Sequence, residues 1–278
     1  MKKTLALCAL FCLLFSANTL AYERTAVLDV PVKNGSVPSV DGLSNAGLQA
    51  NINSILKAKA ESLAKEAGGS AQVSYDITMN QPTLFSVVIK AAGNKTIYAG
   101  VNIDNTSGKE ADTSDFFYQK DDFAKLIGTK PYVFTEDGLL LAETAGGPFT
   151  KKVPYSALMK NINIANSARF ITTYKLTAEA QDKTLRLNKG EIVSLYLHSN
   201  PTTGYDWYII DGAKQPGLVN LGHSFVMPSN PRGMTGSPGT SILLFSFTQP
   251  GTYKLRIDYK RNWMPDYNMT NTYNFLVK

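Results

Sequence analysis

Thr252-Tyr-Lys-Leu-Arg-Ile-Asp-Tyr259 alternates without a break. Tyr253, Leu255, Ile257 and Tyr259 fall on one side, and Lys254, Arg256 and Asp258 on the other. A period of two is that of a half-buried strand. Val193, Leu195 and Leu197 repeat it, as do Tyr273, Phe275 and Val277, and Gly190, Gly212, Gly217, Gly239 and Gly251 punctuate these runs. No helical pattern of ten residues interrupts them. The last part of the chain, from 174 to 278, therefore reads as an all-β sandwich.

Upstream the pattern mixes periods. Tyr22 to Lys33 alternates loosely, as a strand does, and Asn34 to Gly42 is rich in Gly, Pro and Ser and reads as a turn region. From Leu43 to Ala67, Leu48, Ile52, Ile55, Leu56 and Leu63 recur near the helical period, with Gly68 and Gly69 as the stop. Strands are predicted over 71–79, 84–91 and 95–102. A second helix is predicted from Ser114, whose hydroxyl and neighbour Asp115 suit a helix start, with Phe116, Phe117, Phe123, Leu126 and Ile127 as its stripe. Tyr132–Phe134 and Leu139–Ala142 flank Asp137-Gly138 as a hairpin, and Val153 leads through Pro154 into a short helix. Residues 22–160 thus read as an α+β module with helices against an antiparallel sheet. Residues 161–173 are polar and Asn-rich and read as a linker, so the chain of 278 residues divides into two domains. A soft linker would let the first domain cover loops of the second until cleavage near Asn161–Ala168.

Residues 1–21 have the form of a signal peptide: Lys2 and Lys3, an apolar run from Leu5 to Phe15, and Thr19 and Ala21 before Tyr22. The expected location is secreted or periplasmic, with no stable membrane insertion after cleavage. Both cysteines, Cys8 and Cys12, lie in that leader, so the remaining chain has no disulfide, thiolate nucleophile or cysteine metal site. The formal charge of +6 becomes +4 without Lys2 and Lys3, and no Lys/Arg cluster suits a phosphate backbone. Nucleic acid is excluded as the expected partner.

Catalytic patterns are missing as well. His198 and His223 are the only histidines, and there is no His-Glu-x-x-His, Gly-x-Ser-x-Gly or phosphate-binding loop. The expectation is a protein that is not an enzyme, with no catalytic residues, cofactor or metal. The distinctive stretches are loops. Asn200-Pro201-Thr202-Thr203-Gly204-Tyr205 joins two strands, with Trp207 just beyond; Gly236-Ser237-Pro238-Gly239 precedes Phe245 and Phe247; Arg261-Asn262-Trp263-Met264 follows a strand end. A tryptophan in a loop serves either as an exposed binding anchor or as a plug folded into the core.

These three loops resemble those of the chagasin family, protein inhibitors of papain-like cysteine peptidases. The resemblance spans about 179–278. It departs at Pro238, where the family usually has glycine, and at Asn262, where it usually has proline. It implies an immunoglobulin-like fold with three adjacent loops at one end. Thr202, Thr203 and Gly204, within Asn200–Tyr205, would enter the catalytic cleft. The 236–239 loop would meet one rim through its backbone, and Arg261 and Trp263 the other. The implied partner is a papain-like cysteine peptidase, self or foreign.

Residues 71–160 resemble another family, a domain of unknown function in exported bacterial proteins that include anti-sigma factors and peptidoglycan deacetylases. The resembling stretches are Val101–Asp104, Thr106–Lys109, Ser114–Phe117, Phe134–Gly138 and Val153–Ser156. This implies an extracytoplasmic module of bacterial type, with cell-wall or envelope contact as its expected role. The sequence therefore reads as a secreted cysteine peptidase inhibitor. The alternative is an envelope- or protein-binding module that keeps the sandwich without inhibition.

Overall fold

Alternation and helical period both become structure in the computed structural model. It describes residues 25–111, 116–117, 120–159, 161–210, 212, 215–227 and 236–278. The leader, Ser114 and Asp115 lie outside these.

The first part holds β1 (Ala26–Val32), β2 (Gly35–Asp41), α1 (Ala46–Ala67), β3 (Gln72–Asn80), β4 (Leu84–Ala92), β5 (Thr96–Asp104) and β6 (Lys109–Glu110). The six strands form one sheet in chain order. Asn45 caps α1 by accepting the Leu48 N–H at 3.0 Å, and Gly68, at φ +75°, ends it. Ile52, Leu56, Ala60, Leu63 and Ala67, spaced near the helical period, are buried against Phe85, Val87, Ile89, Val101 and Ile103. The turn region expected over Asn34–Gly42 is instead strand β2, because Val37 and Val40 supply apolar contacts to this core. The sheet is not wholly antiparallel: β2 meets β3 in parallel at Gly35 and Val73. A Cβ on Gly35 would stand 1.9 Å from the Val73 carbonyl oxygen.

Next come α2 (Lys120–Ile127), β7 (Tyr132–Thr135), β8 (Gly138–Ala142), β9 (Phe149–Pro154), α3 (Tyr155–Leu158) and α4 (Ile164–Ile171). The three strands form a second sheet. It leans on the first through Asn102, which donates to the Tyr132 carbonyl at 3.0 Å and accepts the Phe134 N–H at 3.2 Å. Phe116 and Phe117 precede α2 rather than joining its stripe, and Leu126 is exposed. Phe116 turns instead toward Phe134 and Phe170, with ring centroids 4.4 and 4.7 Å away.

The last part contains β10 (Tyr174–Leu176), β11 (Thr184–Leu187), β12 (Ile192–Ser199), β13 (Asp206–Ile209), β14 (Leu218–Val226), β15 (Gly239–Phe247), β16 (Gly251–Lys260) and β17 (Tyr267–Val277). Two four-stranded sheets, β10-β12-β15-β14 and β11-β17-β16-β13, enclose Leu195, Phe245, Leu255, Ile257, Tyr273 and Phe275. The described chain is thus mostly β, with several sheets, few helices and a β-sandwich at its C-terminal end.

Residues 161–173 are not a linker. They form α4, capped by Asn163, with Ala168, Phe170 and Ile171 buried. With α3, this helix lies on the outer face of β14 and β15, and one apolar cluster takes in Phe116, Phe134, Phe170, Leu221, Ile242 and Leu244. Gly222 of β14 sits so close to Ile164 that a Cβ there would be 2.5 Å from its Cδ1. The core therefore crosses the expected boundary between the two parts.

Candidate functional site

Strand register brings the three singled-out loops to one end. Ser199 pairs with Gly239, and Asp206 with Lys260, so residues 200–205, 236–238 and 261–266 emerge side by side. Gly239 itself begins β15 and is buried, so it belongs to the strand rather than to the exposed loop.

Asn200 organises the first loop. Its N–H donates to the Tyr259 hydroxyl at 2.9 Å, and its side-chain amide donates to the Gly236 carbonyl at 3.1 Å, tying two loops together. Its Oδ1 accepts from Thr202 Oγ1 and its carbonyl from Thr203 Oγ1, both at 2.6 Å. Pro201–Thr203 forms a single 3₁₀ turn, and Gly204, at φ +82°, returns its N–H to the Pro201 carbonyl. Proline fixes the entry and glycine takes the left-handed exit, which is why that local sequence makes so tight a turn.

The third loop closes over the first. Arg261 Nε donates to the Thr203 carbonyl at 3.2 Å, and its guanidinium lies 4.7 Å from the Tyr205 ring centroid. Tyr205 stacks on Tyr259 at 5.3 Å, and Tyr259 packs against Trp207 at 4.9 Å. Trp207 is buried and donates Nε1–H to the His198 carbonyl at 2.9 Å. This ladder, from the sandwich core to Arg261, holds the loop end.

Trp263 is 68 % exposed, so it is not a core plug. Thr202, Thr203, Gly236 and Pro238 are also exposed, Pro201, Gly204, Tyr205 and Ser237 half-buried. Sequence reasoning missed the company Trp263 keeps. Val226, Met227, Met264 and Met269 are exposed as well, and register places Val226 opposite Thr240 and Met269 opposite Tyr259, at this same end. Of nine exposed large hydrophobics among the described residues, five stand here. Such clustering sets this end apart from the rest of the described surface. The three methionines were the available signal, since Met adapts to a partner's shape. The role of Tyr259 left no signal beyond a strand alternation.

Chemically the site offers apolar area and engaged polar groups rather than free reactive ones. Both threonine hydroxyls are spent on Asn200. Asp206 receives Ser241 Oγ at 3.1 Å and lies 3.4 Å from His223 Nε2, so that histidine is engaged under the loops. Among the described residues no group of three His, Cys, Asp or Glu side chains is placed to hold a metal ion. No helix among them is long and apolar enough to cross a membrane.

A sandwich that presents three linked loops on an apolar end is a loop-based binding scaffold. Residues 186–277 match the chagasin family peptidase inhibitor I42. Amoebiasin-1 of Entamoeba histolytica is 34 % identical over 93 residues, which are 34 % of this chain and 87 % of that protein. Chagasin of Trypanosoma cruzi is 29 % identical over 94 residues, 33 % of this chain and 84 % of that one. A solved structure of a DUF3298 family member from Bacteroides fragilis aligns with 54 % of this chain and 97 % of its own at 11 % identity, with a TM-score of 0.38. Through its C-terminal third, this chain belongs to the chagasin family of peptidase inhibitors. The family's characterised members inhibit cysteine peptidases.

Proposed function

We propose that this chain is an exported inhibitor of papain-like cysteine peptidases, and that it acts as a wedge. Asn200–Tyr205 enters the cleft. Gly236–Pro238 meets one rim through backbone groups. Arg261 and Trp263 pack on the other. The observation that carries this reading is the single amide of Asn200, which reaches Gly236 while its backbone is held by Tyr259. The loops are linked before any partner arrives, so little ordering is left to oppose binding.

The wedge resists cleavage because of its shape. Pro201–Thr203 is a 3₁₀ turn rather than an extended strand, and two of its carbonyls are engaged: that of Pro201 by Gly204 and that of Thr203 by Arg261. An attacking thiolate needs a carbonyl free to move toward a tetrahedral geometry in a near-attack position. A carbonyl held in a tight turn offers neither. The apolar fringe of Val226, Met227, Met264 and Met269 supplies contact area around the Trp263 anchor.

Export rests on the leader-like residues 1–21. The module from 22 to 160 is taken as an extracytoplasmic, bacterial-type domain that buttresses the sandwich. Its docking face is the middle of β14 and β15, away from Val226 and Gly239, so it leaves the loops free. The test is inhibition of papain by the full chain lacking residues 1–21, in a peptide-substrate assay. Reversible inhibition that competes with substrate is expected. Inhibition unaffected by substrate concentration would overturn cleft blockade.

A further inference from the structure

The exposed sulfur of this chain is gathered at the loop end. Residues 22–278 contain no cysteine, so methionine supplies all of their sulfur. Met79 and Met159 pack into the apolar cluster shared by the two parts of the chain. Met227, Met264 and Met269 are 62, 39 and 52 % exposed, all at the end that carries Trp263. Met234 lies outside the described residues. Exposed methionines take up oxygen before buried ones do. An oxidant therefore meets the loop end first.

Two of the three adjoin the groups that hold the wedge. Met264 Sδ lies 3.8 Å from Arg261 Nη1, and the same guanidinium donates through Nε to the Thr203 carbonyl. Met269 stands opposite Tyr259, whose hydroxyl accepts the Asn200 N–H. Met227 follows Val226, which pairs with Thr240 near the start of β15. A thioether is a weak acceptor, whereas its sulfoxide is polar and accepts through oxygen. At Met264 that oxygen competes with the Thr203 carbonyl for the Arg261 guanidinium. At Met227 and Met269 it puts a hydrated group into contact area that is otherwise apolar.

We propose that Met227, Met264 and Met269 form an oxidation site, and that their sulfoxides loosen the wedge and weaken its hold on a peptidase. The oxidant is a peroxide such as hydrogen peroxide. Sulfur gives its lone pair to one oxygen and the O–O bond breaks. The proton on the bound oxygen goes to the departing hydroxide, which leaves as water. Sulfur is oxidised by two electrons and the peroxide is reduced. The site and the loosening stand on exposure and contacts, and the weakened inhibition rests on the cleft-blocking reading above.

The test treats the full chain lacking residues 1–21 with hydrogen peroxide, then removes the oxidant with catalase. Peptide mapping by mass spectrometry is expected to find one added oxygen at Met227, Met264 and Met269 well before Met79 and Met159. Equal rates at the core pair overturn the site. The Arg261 Nε–H signal, followed by NMR with no peptidase present, should shift on oxidation, and an unmoved signal overturns the loosening. The inhibition constant against papain should rise about tenfold, one decade of affinity, and return after methionine sulfoxide reductase and a dithiol. An unchanged constant overturns the effect on inhibition. A variant with Met227→Leu, Met264→Leu and Met269→Leu keeps the apolar volume. Whatever constant it starts from, peroxide should leave it there, and a rise like the parent's would overturn the assignment to these residues. An untreated chain that does not inhibit papain would sink the cleft reading, while the mapping and the Arg261 signal would still decide the site and its loosening.

Discussion

The indole ring of Trp263 lies over Gly204: a Cβ on that glycine would stand 2.7 Å from Cη2 and 3.1 Å from Cζ2 of the ring. The tip of the first loop and the anchor of the third are thus in contact, and Gly204 also holds φ at +82°. Gly204→Ala should cost about 1 kcal/mol of stability through backbone strain. It should weaken papain inhibition at least about tenfold by displacing Trp263, since 1.4 kcal/mol is one decade. Thermal unfolding and an inhibition constant measured on one preparation check both parts.

Trp263→Ala separates anchor from core. At 68 % exposure the side chain contributes little to folding. The melting temperature should move by no more than about 2 °C, whereas affinity should fall by about 2 kcal/mol, roughly thirtyfold. A drop of many degrees would make the ring part of the fold.

Tyr259→Phe keeps the ring between Tyr205 and Trp207 but removes the oxygen that accepts the Asn200 N–H. An unpartnered, partly buried N–H costs about 1 kcal/mol. Affinity should fall with it, because Asn200 also ties the first loop to Gly236. Unchanged inhibition would show that this bond does not position the wedge.

The loop end was legible because its signals are local. Pro201 and Gly204 bracket a turn that needs nothing from elsewhere, and Arg261 and Trp263 follow an alternating strand. The long helix α1 was equally plain, since 22 residues sample the period several times. Helix α4 was not. Its eight residues pass only about two turns, and Phe170 and Ile171 find their partners on a sheet formed by residues far along the chain. Strand β2 was hidden for a related reason: Gly35, Ser36, Pro38 and Ser39 read as turn, and only the packing of Val37 and Val40 on α1 makes it a strand. Phe116 and Phe117 carried an apolar signal without its direction, which is set by Phe134 and Phe170.

The shared core predicts cooperative unfolding. Phe170 is fully buried beside Phe116, and its cluster includes Leu221, Ile242 and Leu244. Phe170→Ala should cost about 3–5 kcal/mol. In denaturant, Trp207 fluorescence from the sandwich and the far-ultraviolet signal of α1 should move together in the parent protein. Two well-separated transitions would mean that the boundary is weaker than the packing implies.

Stability should also fall in strong base. Burial pushes the Tyr273 hydroxyl up to about 12 from 10.0, against a smaller opposing effect of its bond from Asn271. Burial, with a lesser contribution from Asp137, raises Tyr155 well above its ordinary value. Both groups hold their protons more tightly in the folded chain. Their contribution is complete below pH 10 and is lost as pH rises from there through about 12, by about 2–3 kcal/mol for Tyr273. Unfolding free energy measured from pH 9 to 12 should decline, and Tyr273→Phe should decline less steeply.

The most direct test of the central claim is the inhibition constant of the full chain lacking residues 1–21 against papain. The account predicts one-to-one, reversible, competitive inhibition with a constant in the nanomolar range, about −12 kcal/mol at 1 nM. A folded protein that leaves papain fully active at micromolar concentration would contradict it.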